Sequence, residues 1–213
     1  MTTRFAGRAS LGLLAVMTAA SLWAWGTVPG GVPVPVHFDA AGSPDGFAPP
    51  GVALFLMPAA AVLTIAAFVW ARGRAGAGSA HAYAVVWLAV VAVLALAHGV
   101  ILAVALGGAV AVTDLMALAA GAVMIVTGNV AGKIRANTSF GVRTPWTLAD
   151  AEVWDRTHRF YGVLSVLCGV VLVLLPLAGA PGPLTVQALG LSVLVQVVGS
   201  AAYSYWIWRG KQR

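Results

Sequence analysis

The sequence predicts an all-α membrane protein: a polytopic bundle of six transmembrane helices, both termini cytoplasmic, with a short cytoplasmic interfacial helix between spans four and five. Three observations predict it. Of 213 residues, 61% are hydrophobic and 8% charged, whereas a soluble domain carries about a quarter charged residues to cover its surface; this chain uses lipid as its solvent. Six apolar runs approach the roughly 20 residues needed to cross a hydrocarbon core of about 30 Å. All 12 Lys and Arg residues sit in the termini or in alternate connections.

The runs are Ser10–Val28, Gly51–Ala71, Ala82–Leu106, Thr113–Ala131, Phe160–Gly179 and Leu184–Trp206. The start of the fourth is blurred by Gly107, Gly108 and Asp114. Fusing it with the third would give a stretch too long for one crossing, so a turn is expected at the glycine pair. Met1–Gly26 has a basic start, an apolar middle and small residues near Ala24, the layout of a secretory signal. The five further spans make it an uncleaved anchor.

Arg4 and Arg8, Arg72 and Arg74, Lys133, Arg135, Arg143, Arg156 and Arg159, then Arg209, Lys211 and Arg213 alternate with connections that hold no cation. The positive-inside rule puts the termini and the segments 72–81 and 132–159 in the cytoplasm, and 29–50, 107–112 and 180–183 outside. The net charge of +6 is spread over short clusters, without the basic face of a nucleic-acid-binding protein. The lone Cys168 excludes a disulfide framework or thiolate cluster. The chain divides into a two-span segment 1–80 with an ordered outer loop 29–50, and a four-span segment 81–213 with a cytoplasmic motif 128–162. The two long loops differ in length, charge and residue type, so there is no sign of an inverted-repeat transporter.

The outer loop is rich in proline. Val34, Val36 and Phe38 alternate with Pro35, His37 and Asp39, which suits a short strand, and Ser43-Pro44-Asp45-Gly46 reads as a turn. His37 and Asp39 share a face and could hold a cation or polar ligand; alternatively they satisfy backbone groups in the turn. In the long inner segment, Thr147 followed by Asp150 resembles a capping box, so a helix is expected to start there, run near the membrane surface and feed span five. Glu152 with Arg156 and Asp155 with Arg159 are i,i+4 pairs, and Trp154 shares a face with His158. Arg143 in Gly141-Val142-Arg143-Thr144-Pro145 offers five fixed donors to a carboxylate or lipid phosphate. It could equally clamp the turn to Asn129, Asn137 or the end of span four.

Within the membrane, His98 falls near midplane, with Gln187 or Gln196 in span six, or Asp114, as expected partners in a proton relay or a helix contact. Ala117, Gly121, Gly128 and Gly132 form a small-residue stripe for close helix packing. HExxH, GxSxG, a Walker loop and Cys/His clusters are absent from the sequence. Neither a cofactor nor a metal is called for. An intramembrane enzyme would have only His158, Asp155 and Arg143 to work with.

The run Gly128-Asn129 … Asn137-Thr138-Ser139-Phe140-Gly141-Val142-Arg143-Thr144-Pro145-Trp146-Thr147-Leu148 … Trp154-Asp155-Arg156-Thr157-His158-Arg159 … Gly162 resembles the SdpI immunity-protein family of bacterial membrane proteins. Pro35-Val36-His37-Phe38 with Gly42-Ser43-Pro44-Asp45-Gly46 is similar to the uncharacterised domain that often precedes it. The chain departs from these patterns at Arg135-Ala136, where the family usually has Lys-Pro, and at Ala48-Pro49-Pro50, where the outer motif often reaches a lysine. The resemblance implies a binding and signalling protein of the bacterial plasma membrane, not an enzyme. As in the family's best-known member, the resemblance implies protection of the producer from a secreted toxic peptide and retention of a repressor at the membrane. It also implies an inner motif of Asn129, Asn137, Gly141, Arg143, Thr144, Pro145, Trp146, Trp154 and His158, facing a regulator or anionic lipid, and an outer one including His37 and Gly42, facing the toxin. The alternative is a small transporter or proton-coupled channel using His98.

Overall fold

Each apolar run becomes one helix. The computed structural model describes residues 1–213. Its elements in order are α1 (Thr3–Trp25), a hairpin of β1 (Val34–Phe38) and β2 (Pro44–Ala48), α2 (Pro50–Ala71), α3 (Ala80–Ala105), α4 (Val112–Ala131), α5 (Pro145–Ala149), α6 (Ala151–Leu177) and α7 (Gly182–Lys211). All the helices except α5 are long and apolar enough to cross a membrane, giving six spans. Side-chain distribution agrees: α7 buries Ser192, Gln196, Ser200 and Ser204, one per turn, and exposes Leu191, Leu194, Val197 and Val198. Polar groups inside and apolar groups outside is the arrangement lipid demands.

Two boundaries move. Helix α1 starts at Thr3, ahead of Ser10, because the Thr2 hydroxyl accepts the Phe5 N–H and caps it; α7 runs on to Lys211. The break between α3 and α4 falls at the glycine pair as expected: Gly107 has φ +83, and a Cβ on Gly108 would lie 2.8 Å from the Ala103 carbonyl oxygen.

Between α4 and α6 the expected single helix start resolves into two. Thr144 caps α5 in a reciprocal box with Thr147, with Pro145 in its first turn. Asp150 then accepts the N–H groups of Glu152 and Val153 and starts α6. That helix continues unbroken into the fifth span, so Trp154 and His158 lie in its first turns, and the separate short helix is the single turn of α5.

Helices α1, α2 and α3 pack on one another, α4 and α6 form the tightest pair, α7 leans on both, and α3 meets α4. The stripe on α4 meets a matching one on α6. A Cβ on Gly169 would lie 2.6 Å from the Gly121 carbonyl oxygen, and one on Gly162 2.7 Å from that of Gly128. Nothing larger than glycine fits at those crossings.

The outer loop folds into an antiparallel hairpin. Its turn begins four residues earlier than expected, at 39–43, while Ser43–Gly46 largely belongs to β2. One Asp39 carboxylate oxygen accepts from both Ala41 and Ser43 at 2.8 Å, and Gly42 takes φ +83. This side-chain-templated turn outcompetes the Pro-Asp-Gly alternative. Buried Val34 anchors the base among Ala24, Leu54, Ile101 and Leu102. The tip rests on the other half of the bundle: Gly42 sits close against Thr113, and Gly182 against the Ala40 carbonyl.

Candidate functional site

The motif residues at the end of the bundle that holds the cations, here the basic end, form a knot around the backbone of one residue, Val142. His158 and Trp154 are fully buried and stack at 4.3 Å. His158 Nδ1 donates to the Trp154 carbonyl at 2.9 Å, and Nε2 accepts the Val142 N–H at 2.9 Å. Using the two nitrogens in opposite senses fixes one neutral tautomer. The Thr147 hydroxyl donates to the Val142 carbonyl at 2.8 Å, so both backbone polar groups of that residue are held by side chains. Asn137 closes the loop before it, accepting from Ser139 and Phe140 and donating to the Arg135 and Phe140 carbonyls. Trp154 Nε1 ties in the Ile134 carbonyl at 2.8 Å. Gly141, at φ +117, lies against His158, whose ring would collide with any Cβ there.

The knot is fastened to α7. Thr144 and Ser204 share a hydrogen bond of 3.1 Å, and Trp146 packs on Tyr205 with ring centroids 5.0 Å apart. Lys211 bonds Asp150 at 2.6 Å and Glu152 at 3.0 Å. The Lys211 ammonium beside Asp150 holds that carboxyl below the usual carboxylate range.

Two expectations change here. Arg143 is not the clamp: its exposed guanidinium has no hydrogen-bond or ion-pair partner, and Val142, its neighbour, is what His158 and Thr147 grip. Asn129 is also outside the knot, bonding only the Ile125 carbonyl one turn back. The Glu152–Arg156 pair forms at 3.5 Å. Asp155 pairs instead with Arg135 at 3.3 Å, because loop closure brings that guanidinium over α6.

At the opposite, hairpin end, His37 Nδ1 bonds Asp45 across the strands at 2.5 Å and Asp39 is engaged in its turn. The pair expected on one face is therefore divided between two internal roles. No group of three or more His, Cys, Asp or Glu side chains is placed to hold a metal ion. Beneath the hairpin lies an open cavity of about 270 Å³, roofed by Val36 and Phe38 and walled by Met57, Val100, Ile101 and Met116.

Deep between the ends, His98 finds different partners from those expected. Its Nε2 lies 3.1 Å from the Met17 carbonyl and 3.2 Å from the Ser21 hydroxyl, both on α1. Gln187 faces outward and Gln196 bonds the Ser192 carbonyl. The cause is Pro58, which has no N–H and so leaves the Leu54 carbonyl without its helical donor. Ser21 donates to that oxygen at 2.6 Å, and His98 in turn bonds Ser21. The signal was a proline inside an apolar span with Ser21 and His98 in the neighbouring ones.

Fold and sites together define a polytopic helical membrane protein whose ordered polar chemistry is concentrated in two connections, one at each end. Residues 133–204 match the SdpI/YfhL protein family, and residues 12–62 match a domain of unknown function, DUF1648. The first match contains the knot and the second the hairpin. Over 74 residues, 35% of the chain, the sequence is 35% identical to "Immunity protein SdpI" of Bacillus subtilis (strain 168), covering 36% of that protein. The chain thus matches about a third of the curated relative's length. No solved structure matches it.

Proposed function

We propose that this chain is an immunity or receptor-like protein of the bacterial plasma membrane: it binds a secreted antimicrobial peptide at the hairpin end and passes occupancy to the basic end. The observation that carries the reading is the similarity to an immunity protein, in a chain whose two family-matched segments coincide with its two ordered connections. Every cation lies at one end, so the positive-inside rule puts that end, with both termini, in the cytoplasm. In this reading 1–80 supplies the outer contact surface and 81–213 the inner motif. Arg143, the motif's unpaired donor, meets a cytoplasmic repressor or an anionic lipid headgroup.

The account is one of binding, not catalysis. The transporter alternative rested on a relay from His98 to an acid or glutamine, and those partners are replaced by α1 and the proline gap. The test is survival: a sensitive host expressing the chain should outgrow the empty-vector strain across a dose series of a secreted cationic antimicrobial peptide. Equal killing at every dose would refute immunity.

A further inference from the structure

We infer that the cavity beneath the hairpin receives a large apolar side chain of a cationic, amphipathic peptide. The inference rests on the peptide-receptor reading and names the site and the ligand chemistry. At about 270 Å³ the cavity is nearly twice the size of an engineered apolar hole of about 150 Å³ that takes up benzene. It therefore has room for an indole or a branched aliphatic group. Its walls come from both halves of the bundle, Met57, Val100 and Ile101 on one side and Met116 and Leu189 on the other. The hairpin spans them as a roof, its base on α2 and α3 and its tip on Thr113 and Gly182.

The rim sets the charge of the ligand. Asp39 lines the mouth, and only one of its carboxylate oxygens is used by the turn. Asp114 lines an adjoining hollow shared with Gly42 and Thr113, and Asp45 is paired with His37. No Lys or Arg occurs between Arg8 and Arg72, between Arg74 and Lys133, or between Arg159 and Arg209. This end of the protein therefore carries carboxylates without a balancing Lys or Arg. Such a field draws in a cationic ligand and repels an anionic phospholipid headgroup. Apolar filling and positive charge together describe a cationic amphipathic peptide.

The test uses the full-length chain in phosphatidylcholine nanodiscs and a fluorescein-labelled synthetic Leu/Lys peptide with one tryptophan, read against empty nanodiscs. Three changes should each raise Kd at least about tenfold, the equivalent of one lost apolar anchor. They are Trp→Ala in the peptide, filling the cavity with Met116→Trp or Val100→Phe, and neutralising the rim with Asp39→Asn plus Asp114→Asn. Replacing the peptide's Lys by Glu should abolish binding. Thermal unfolding selects which filled variant is scored, and the peptide-side changes need no protein variant. The proposal is overturned if a folded filled variant binds like wild type, if the Glu peptide binds equally, or if wild type binds no better than empty nanodiscs. It is also overturned if mass spectrometry finds a lipid retained by wild type and lost on filling. Failed host protection with this binding intact would refute immunity and leave the cavity assignment standing; protection with binding unaffected by filling would do the reverse.

Discussion

The two ends of the bundle spend their polar residues differently. At the basic end His158, Thr147, Asn137 and Trp154 are all committed to the chain's own backbone, and the Arg143 guanidinium is left over. At the hairpin end Asp39 keeps one oxygen free, Asp114 has no hydrogen-bond partner, and an apolar cavity lies open beneath them. The difference separates residues that make a motif fold from residues that make it bind. A buried polar group left unpaired near lipid is costly, so a motif rich in such groups is first a device for holding a loop.

The most damaging change should be His158→Ala. It leaves the Val142 N–H without a partner, removes a second bond to the Trp154 carbonyl, and empties a fully buried site. A loss of about 2–4 kcal/mol is expected, measured by thermal or denaturant unfolding in detergent. At the other end, Gly42→Ala forces an L side chain into φ +83, with its Cβ 3.1 Å from the Thr113 hydroxyl. It should cost only about 1 kcal/mol, yet loosen the roof, seen as faster proteolysis within 37–46.

Arg143→Gln sharpens the contrast within the basic end. Stability should stay within about 0.5 kcal/mol of wild type, while binding of any partner proposed to dock on Arg143 is lost. A drop comparable to that of His158→Ala would make Arg143 part of the knot. The smallest effect belongs to the tie between α7 and Asp150. Because the Asp150 carboxyl is held below its usual value, its contribution is present above the ordinary carboxylate pKa of about 3.9 and is lost as pH falls further. Lys211→Met should thus leave a small stability deficit at pH 7 that closes under strong acid, read from parallel melts.

Much of this was legible in the sequence. Six spans, the turn at Gly107-Gly108 and the packing stripe on α4 follow from hydropathy and residue size, which act locally. The hairpin's existence was readable, but its turn was misplaced because an Asp39 side chain templating Ala41 and Ser43 competed with a strong Pro-Asp-Gly signal. The knot's members were visible as a motif, whereas their roles depended on which peptide they surround. Spacing does not say that Val142, an apolar residue, offers its backbone as the centre. His98 is similar: its partner Ser21 answers a need created by Pro58 in another helix. The cavity had no local signature, since its walls come from five elements far apart in the chain.

The most direct test is hydrogen exchange by mass spectrometry on the full-length chain in nanodiscs, with and without the cationic peptide. The account predicts that the amides of 137–147 exchange slowly in both states while those of 37–46 slow on peptide addition. Peptide protection confined to 137–147, with 37–46 unchanged, would contradict it.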